Sequence, residues 1–187
     1  MNEQTPLPQG VAWRAVARCV ATTAVLLARR RVHLPRGNVG TRLTFADGTA
    51  SVVYRETVVD GPRPESPCVL VVEFRLRAVR GRGHALFRWE SLFNTPLFVG
   101  FPGLVSKLWL AADEHDVYRG LYEWDGAGRA ESYARALWRV LALVSVRGSI
   151  HYRVVPGLRR DELLALTDLH AEPTAGAPEW WRPVAVA

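Results

Sequence analysis

A chain of 187 residues, 49% hydrophobic and 22% charged, has the size and composition of one folded domain with an appendage, which excludes a disordered or collagen-like polymer. Its two cysteines, Cys19 and Cys68, have no CxxC spacing, which excludes a disulfide scaffold and a cysteine-built zinc site. The net charge of +6 arises from 24 basic residues, of which Lys107 alone is lysine. Arg29, Arg30 and Arg31 form the one true run, with Arg36 nearby, and the other arginines are scattered among acids. No nucleic-acid-binding motif accompanies them, so no nucleic-acid partner is expected.

The first nine residues are polar and no basic residue precedes Arg14. That is not the pattern of a secretory leader, and a cytoplasmic location is expected. Residues 10–31 read as a helix, because Trp13, Val16, Val20, Ala24 and Leu27 recur at spacings of three and four, with Arg14 and Arg18 on another face. This stripe is expected to pack on the domain, the alternative being an amphipathic segment resting on a membrane surface. The longest uncharged run here, residues 19–28, is half of the roughly 20 residues a membrane span needs.

Two β-prone runs, residues 41–46 and 49–59, flank Asp47-Gly48 and predict a hairpin. Residues 60–67 hold three prolines and mark an internal boundary. The remainder predicts a strand (68–77), a helix (84–94), two strands (104–113 and 117–125), a periodic helix (128–146) and a last strand (149–156). The order β-α-β-β-α-β is an α+β, ferredoxin-like antiparallel arrangement. The chain therefore divides into an N-terminal helix and hairpin extension (1–67), a ferredoxin-like domain (68–157), and a short helix with a tail (158–187). Trp180-Trp181 in that tail are expected to fold back onto the domain, with a partner or lipid anchor as the alternative.

Alternation sorts the strand residues onto two faces. One face takes Leu70, Val72, Phe74, Leu108, Leu110, Tyr118, Gly120, Tyr122, Trp124 and Tyr152, and is expected to lie beneath the helices. The other takes Glu73, Arg75, Lys107, Trp109, Arg119, Glu123, His151 and Arg153. Its mixed charges need water or a cover that pairs them. A homodimer partner or the chain's own hairpin is expected to supply that cover.

Within residues 68–157, Pro102-Gly103, Lys107, Trp109, Gly120, Tyr122 and the pattern Asp125, Arg129, Ala130 and Tyr133 follow in order. This segment resembles the YdhR-like mono-oxygenase family of the dimeric α/β-barrel superfamily. The resemblance implies a ferredoxin-like barrel, a homodimer, and cofactor-free oxidation or cyclisation of an aromatic or polyketide-like molecule.

Lys107, beside Trp109, is either paired across the sheet with Glu73 or Glu123, or is a catalytic cation that stabilises an enolate or phenolate. His84, at the start of the first domain helix, is either a capping residue or a general base at a pocket mouth. Trp89, Asn94, Tyr118, Tyr122 and Trp138 are candidate ligand contacts, the aromatics walling an apolar pocket between helix and sheet. His151 is expected to pair with Glu123 or Glu73, and no second histidine stands at a ligand spacing from it, so neither a metal nor another cofactor is expected. No GxGxxG, P-loop, HExxH or GxSxG occurs, which leaves nucleotide, metalloprotease and serine-hydrolase readings without a motif.

Overall fold

A computed structural model describes residues 5–77, 95–165 and 179–187. The described strands are β1 (Val32–His33), β2 (Arg42–Phe45), β3 (Ala50–Val59), β4 (Pro67–Arg75), β5 (Leu104–Leu110), β6 (Val117–Asp125), β7 (His151–Pro156) and β8 (Pro183–Val186). The described α-helices are α1 (Gln9–Ala28), α2 (Ala127–Val144) and α3 (Arg160–Ala165). The strands join in one sheet in the order β7-β4-β6-β5-β3-β2-β8, with β1 also on β3, and every pairing is antiparallel. The run β7-β4-β6-β5 places the four predicted domain strands in the fourth-first-third-second order of a ferredoxin-like fold. The helix expected at 84–94 lies outside the described residues, as do His84, Trp89 and Asn94.

The hairpin forms about Asp47-Gly48 as expected, with Phe45 donating its N–H to the Thr49 carbonyl at 2.8 Å. It does not lie flat over the charged face. Its second arm, β3, pairs with β5 and lengthens the sheet, and its first arm, β2, pairs in turn with β8. Together they curl round to cover the sheet's reverse side. Leu43 and Phe45 of β2 pack there with Val69, Val71, Leu108, Leu110 and Leu121, and Leu163 of α3 joins them. Trp180 and Trp181 fold back onto the same cluster.

The charges of this reverse face are paired inside the chain. Arg119, its side chain 2% exposed, contacts three carboxylates: Asp47 at 2.7 Å, Asp113 at 2.8 Å and Glu73 at 3.2 Å. It thereby ties the hairpin turn and the β5–β6 turn to β4. Arg160 of α3 reaches Glu56 at 2.7 Å and Ser106 at 3.1 Å, which clips α3 to β3 and β5. His151 pairs with Glu73 at 3.2 Å, as expected, and Arg153 lies over the Trp181 ring.

Alternation holds along β4, β6 and β7 but fails along β5. Leu104 stands opposite Trp124, yet Ser106 stands opposite Glu123 and Lys107 opposite Tyr122, so Val105 is an extra residue. Such a bulge moves every later side chain to the other face. Lys107 and Trp109 therefore point beneath the helical layer, while Leu108 and Leu110 face the reverse cluster, the opposite of the expectation. A second shift, between Val53 and Arg55 on the neighbouring strand, sets Arg55 opposite Trp109 and Thr57 opposite Lys107.

α1 docks on the domain, but through a different stripe from the one expected. Ala12, Val16, Cys19 and Thr23 are buried, whereas Trp13, Val20 and Leu27 are exposed. The cause is a close backbone approach. A Cβ at Gly100 would stand 2.1 Å from the Cys19 carbonyl oxygen, so only glycine lets the loop after Leu97 meet the helix there. The Cys19 thiol and the Thr23 hydroxyl both donate to the Pro96 carbonyl at the same seam. Although its uncharged run is short, α1 has 20 residues and holds an 18-residue stretch with a mean hydropathy of 1.5, long and apolar enough to cross a membrane by length and composition.

Candidate active site

The β5 bulge builds a cavity of about 570 Å³ between the sheet and α2. That volume lies within the roughly 300–1,000 Å³ typical of small-molecule sites. Phe74, Tyr118 and Tyr122 wall it from the sheet, Tyr133 and Leu137 from α2, and Phe98 from the loop before β5. Phe74 and Tyr118 stack with centroids 5.9 Å apart and planes within 16°, which makes one wall flat. At the far end, the Arg77 guanidinium donates to the Ala142 and Ser145 carbonyls and closes the C-terminus of α2.

Lys107 projects into this cavity. Its Nζ lies 3.1 Å from the Trp109 ring centroid, 4.5 Å from that of Phe98 and 4.6 Å from that of Tyr122. No carboxylate among the described residues pairs with it: Glu73 serves Arg119 and His151, and Glu123 faces Arg159. The expected cross-sheet salt bridge is therefore absent, because the bulge carries Lys107 to the face opposite those acids. Burial first, and the nearby Arg55 charge second, hold its amine well below the ordinary lysine value. The ring faces favour the ammonium once it forms, so the site resists protonation in the empty state and supports it when a counter-charge arrives.

Trp109 organises the surroundings. Its indole N–H donates to the Thr57 hydroxyl at 3.1 Å, Phe98 packs edge-on at 5.1 Å, and the Arg55 guanidinium stacks on the ring at 3.8 Å. Burial lowers the Arg55 pKa to about 10. Beside Lys107, the Tyr133 hydroxyl donates to the Tyr122 oxygen at 3.1 Å, and burial raises the pKa of both phenols. Gly120 makes room for this pair, since a Cβ there would meet the Tyr122 ring at 2.8 Å.

Of the candidate residues, the structure brings Lys107, Trp109, Tyr118 and Tyr122 together in one cavity. Trp138 is not part of its wall; it packs edge-on against Tyr152, with centroids 6.2 Å apart, on another part of the core. Among residues the sequence did not mark, Arg55, Tyr54 and Phe98 reach the Trp109 ring. Asp125 and Arg129 of the resemblance motif lie away from the cavity, where Asp125 accepts the N–H groups of Glu65 and Ser66 and fastens the proline-rich linker. Among the described residues no cluster of three or more His, Cys, Asp or Glu is placed to hold a metal ion.

No protein-family profile and no curated protein matches the chain. Among the solved structures similar to it at low identity are two from Listeria. One is a ferredoxin-fold protein related to antibiotic biosynthesis monooxygenases from Listeria monocytogenes, at 14% identity and a TM-score of 0.38. The other is a monooxygenase-like protein from Listeria innocua, at 15% identity and a TM-score of 0.41. The alignments cover 58% and 59% of this chain and 64% and 66% of theirs, so the chain spans just under two thirds of either protein.

Proposed function

We propose that the protein binds a planar, largely apolar molecule bearing one enolic or phenolic oxygen, and acts on its deprotonated form as a cofactor-free mono-oxygenase or cyclase of the YdhR-like kind. The observation that carries this reading is a buried lysine amine in an aromatic-walled cavity, with no carboxylate partner among the described residues. A neutral amine there takes the proton of an enol or phenol without adding net charge to the interior. The product is an ammonium–oxyanion pair in a low-dielectric site, where opposite charges attract strongly. Of the residues that carry the resemblance, Lys107, Trp109, Gly120, Tyr122 and Tyr133 line this cavity, which supports the reading.

Both chemistries start from that pair. In the oxygenase branch an activated methylene gives four electrons to dioxygen, so that CH2 and O2 become C=O and H2O. In the cyclase branch the enolate carbon attacks a carbonyl of the same molecule, and the Lys107 ammonium returns its proton to the alkoxide formed. Calorimetric titration with a naphthol tests the shared step. The wild type is expected to bind, and Lys107→Met to bind about tenfold or more weakly, a loss of about 1.4 kcal/mol or more. Equal affinities, or no binding by the wild type, would overturn the proposal.

A second reading concerns α1 and does not exclude the first. Trp13, Val20 and Leu27 recur every seventh residue along one exposed line, with Ala17, Ala21 and Ala24 beside it. At 1.5 Å per residue this line is about 21 Å long. Arg14 and Arg18 flank it, and Arg29, Arg30 and Arg31 follow its end. An apolar line bordered by arginines fits an anionic lipid surface, with the rings and branched chains at the acyl boundary and the guanidinium groups on phosphates. The protein is expected to float with phosphatidylserine vesicles, less so at high salt, and to lose that association in a Trp13→Ser, Leu27→Ser double variant. Failure to float at low salt, or flotation unaffected by the double substitution, would count against it.

A further inference from the structure

Resting on the ligand site proposed above, and narrowing its ligand class, we propose that Lys107 forms a covalent imine with its ligand, which makes the substrate class a planar aromatic molecule that carries an aldehyde or ketone as well as its enolic or phenolic oxygen. Imine formation needs an amine that is unprotonated, reachable from a cavity and shielded from bulk water. Lys107 meets each condition: Nζ borders the cavity, three rings face it, and the side chain is buried. No acid among the described residues pins it as an ammonium. Burial and the Arg55 charge both favour the free amine.

The step balances with groups already in place. The Nζ lone pair adds to the carbonyl carbon, and the carbonyl oxygen takes up the proton that Nζ sheds, giving a carbinolamine. Its hydroxyl then leaves as water with one added proton, the C=N bond forms, and the remaining N–H proton goes back to the donor. Tyr122 is the residue opposite Lys107 across β5 and β6. Its oxygen already accepts a hydrogen bond from Tyr133, which leaves its own O–H to serve as that donor. Nothing is oxidised or reduced, so no co-reactant is needed. The Phe74–Tyr118 stack offers a flat surface for the ring that carries the carbonyl.

The test uses a hydroxynaphthaldehyde as probe, with borohydride to fix any imine and peptide mass mapping to locate it. The chain's sole lysine simplifies the result, because the N-terminal amine is the other primary amine that can react. The expected outcome is one reduced adduct per chain at Lys107, its near-complete loss in Lys107→Met, and protection of the wild type by excess naphthol. An adduct confined to the N-terminal amine, or labelling at Lys107 that naphthol does not reduce, would overturn the proposal, and the protection arm holds even if the variant fails to fold. Naphthol binding without any adduct would sink the imine and leave the proposed function standing. Failure of both probes to bind would sink both.

Discussion

Replacing Arg119 with methionine is expected to lower folding stability by about 3–5 kcal/mol, the usual cost of removing one partner from a buried ionic cluster. The size follows from what is left behind. Asp47, Glu73 and Asp113 all lean on this one guanidinium, and their side chains are 17%, 13% and 0% exposed. Asp113 also accepts the N–H groups of His115 and Val117, so it cannot turn to solvent without opening the β5–β6 turn. Burial already raises the Glu73 pKa even with Arg119 present. Without the arginine, the Glu73 carboxyl loses the charge that opposes this rise and titrates further above its unfolded value. The part of the loss that comes from Glu73 is then complete above that raised value and shrinks as pH falls through it toward the unfolded range. Denaturant melts of both proteins at neutral and mildly acid pH measure this. A gap that stays constant or widens on acidification would show that the cluster does not work as described.

The second large effect runs the other way. Lys107→Met is expected to stabilise the protein at neutral pH while weakening its hold on an acidic ligand. Methionine fills similar space beside Trp109, Phe98 and Tyr122 and has no charge to desolvate. In the wild type the unfolded chain carries the ammonium below the ordinary lysine value of 10.5, whereas the folded chain loses it at a much lower pH. Between those two values the unfolded state binds more protons, so wild-type stability rises with pH. Each unit of that window is worth about 1.4 kcal/mol. The variant lacks this dependence, so its advantage at neutral pH narrows as pH climbs toward 10.5. Stability curves across the alkaline range decide the matter, and a variant less stable than the wild type at neutral pH would refute the assignment.

Much of the fold was legible because its signals are local. Asp47-Gly48 between branched runs announced the hairpin, and Ala130, Tyr133, Ala134 and Leu137 marked the buried face of α2 at helical spacing. The parity of β4, β6 and β7 placed Leu70, Tyr122 and Tyr152 beneath the helices. The centre of the site was hidden by one residue. Leu104, Leu108 and Leu110 share a parity, and nothing in the run from Leu104 to Leu110 reveals that Val105 is looped out between them. A strand buried on both faces reads equally well in either register, so the charge of Lys107 drew it to the wrong side. The stripe on α1 was misplaced for a related reason. Residues 12–28 are apolar over a wide arc, and the docked part of that arc is chosen by Gly100 in a distant loop. Arg55 carried no mark of its site, because its place beside Trp109 depends on a long-range strand pairing. The cover over the reverse face reads from the sequence as either a homodimer partner or the hairpin; the hairpin supplies it, together with α3, from a stretch that reads as a short helix, and β8, from a tail that reads as loop.

The chemistry of the cavity turns on the state of one amine, and the chain's sole lysine makes that state directly measurable. A pH titration of the protein with isotope-labelled lysine, followed by NMR at the carbon next to Nζ, reads Lys107 alone. A midpoint well below 10.5 is expected in the empty protein, moving upward when naphthol supplies a counter-charge. A midpoint at or above 10.5, unmoved by the ligand, would contradict this chemistry.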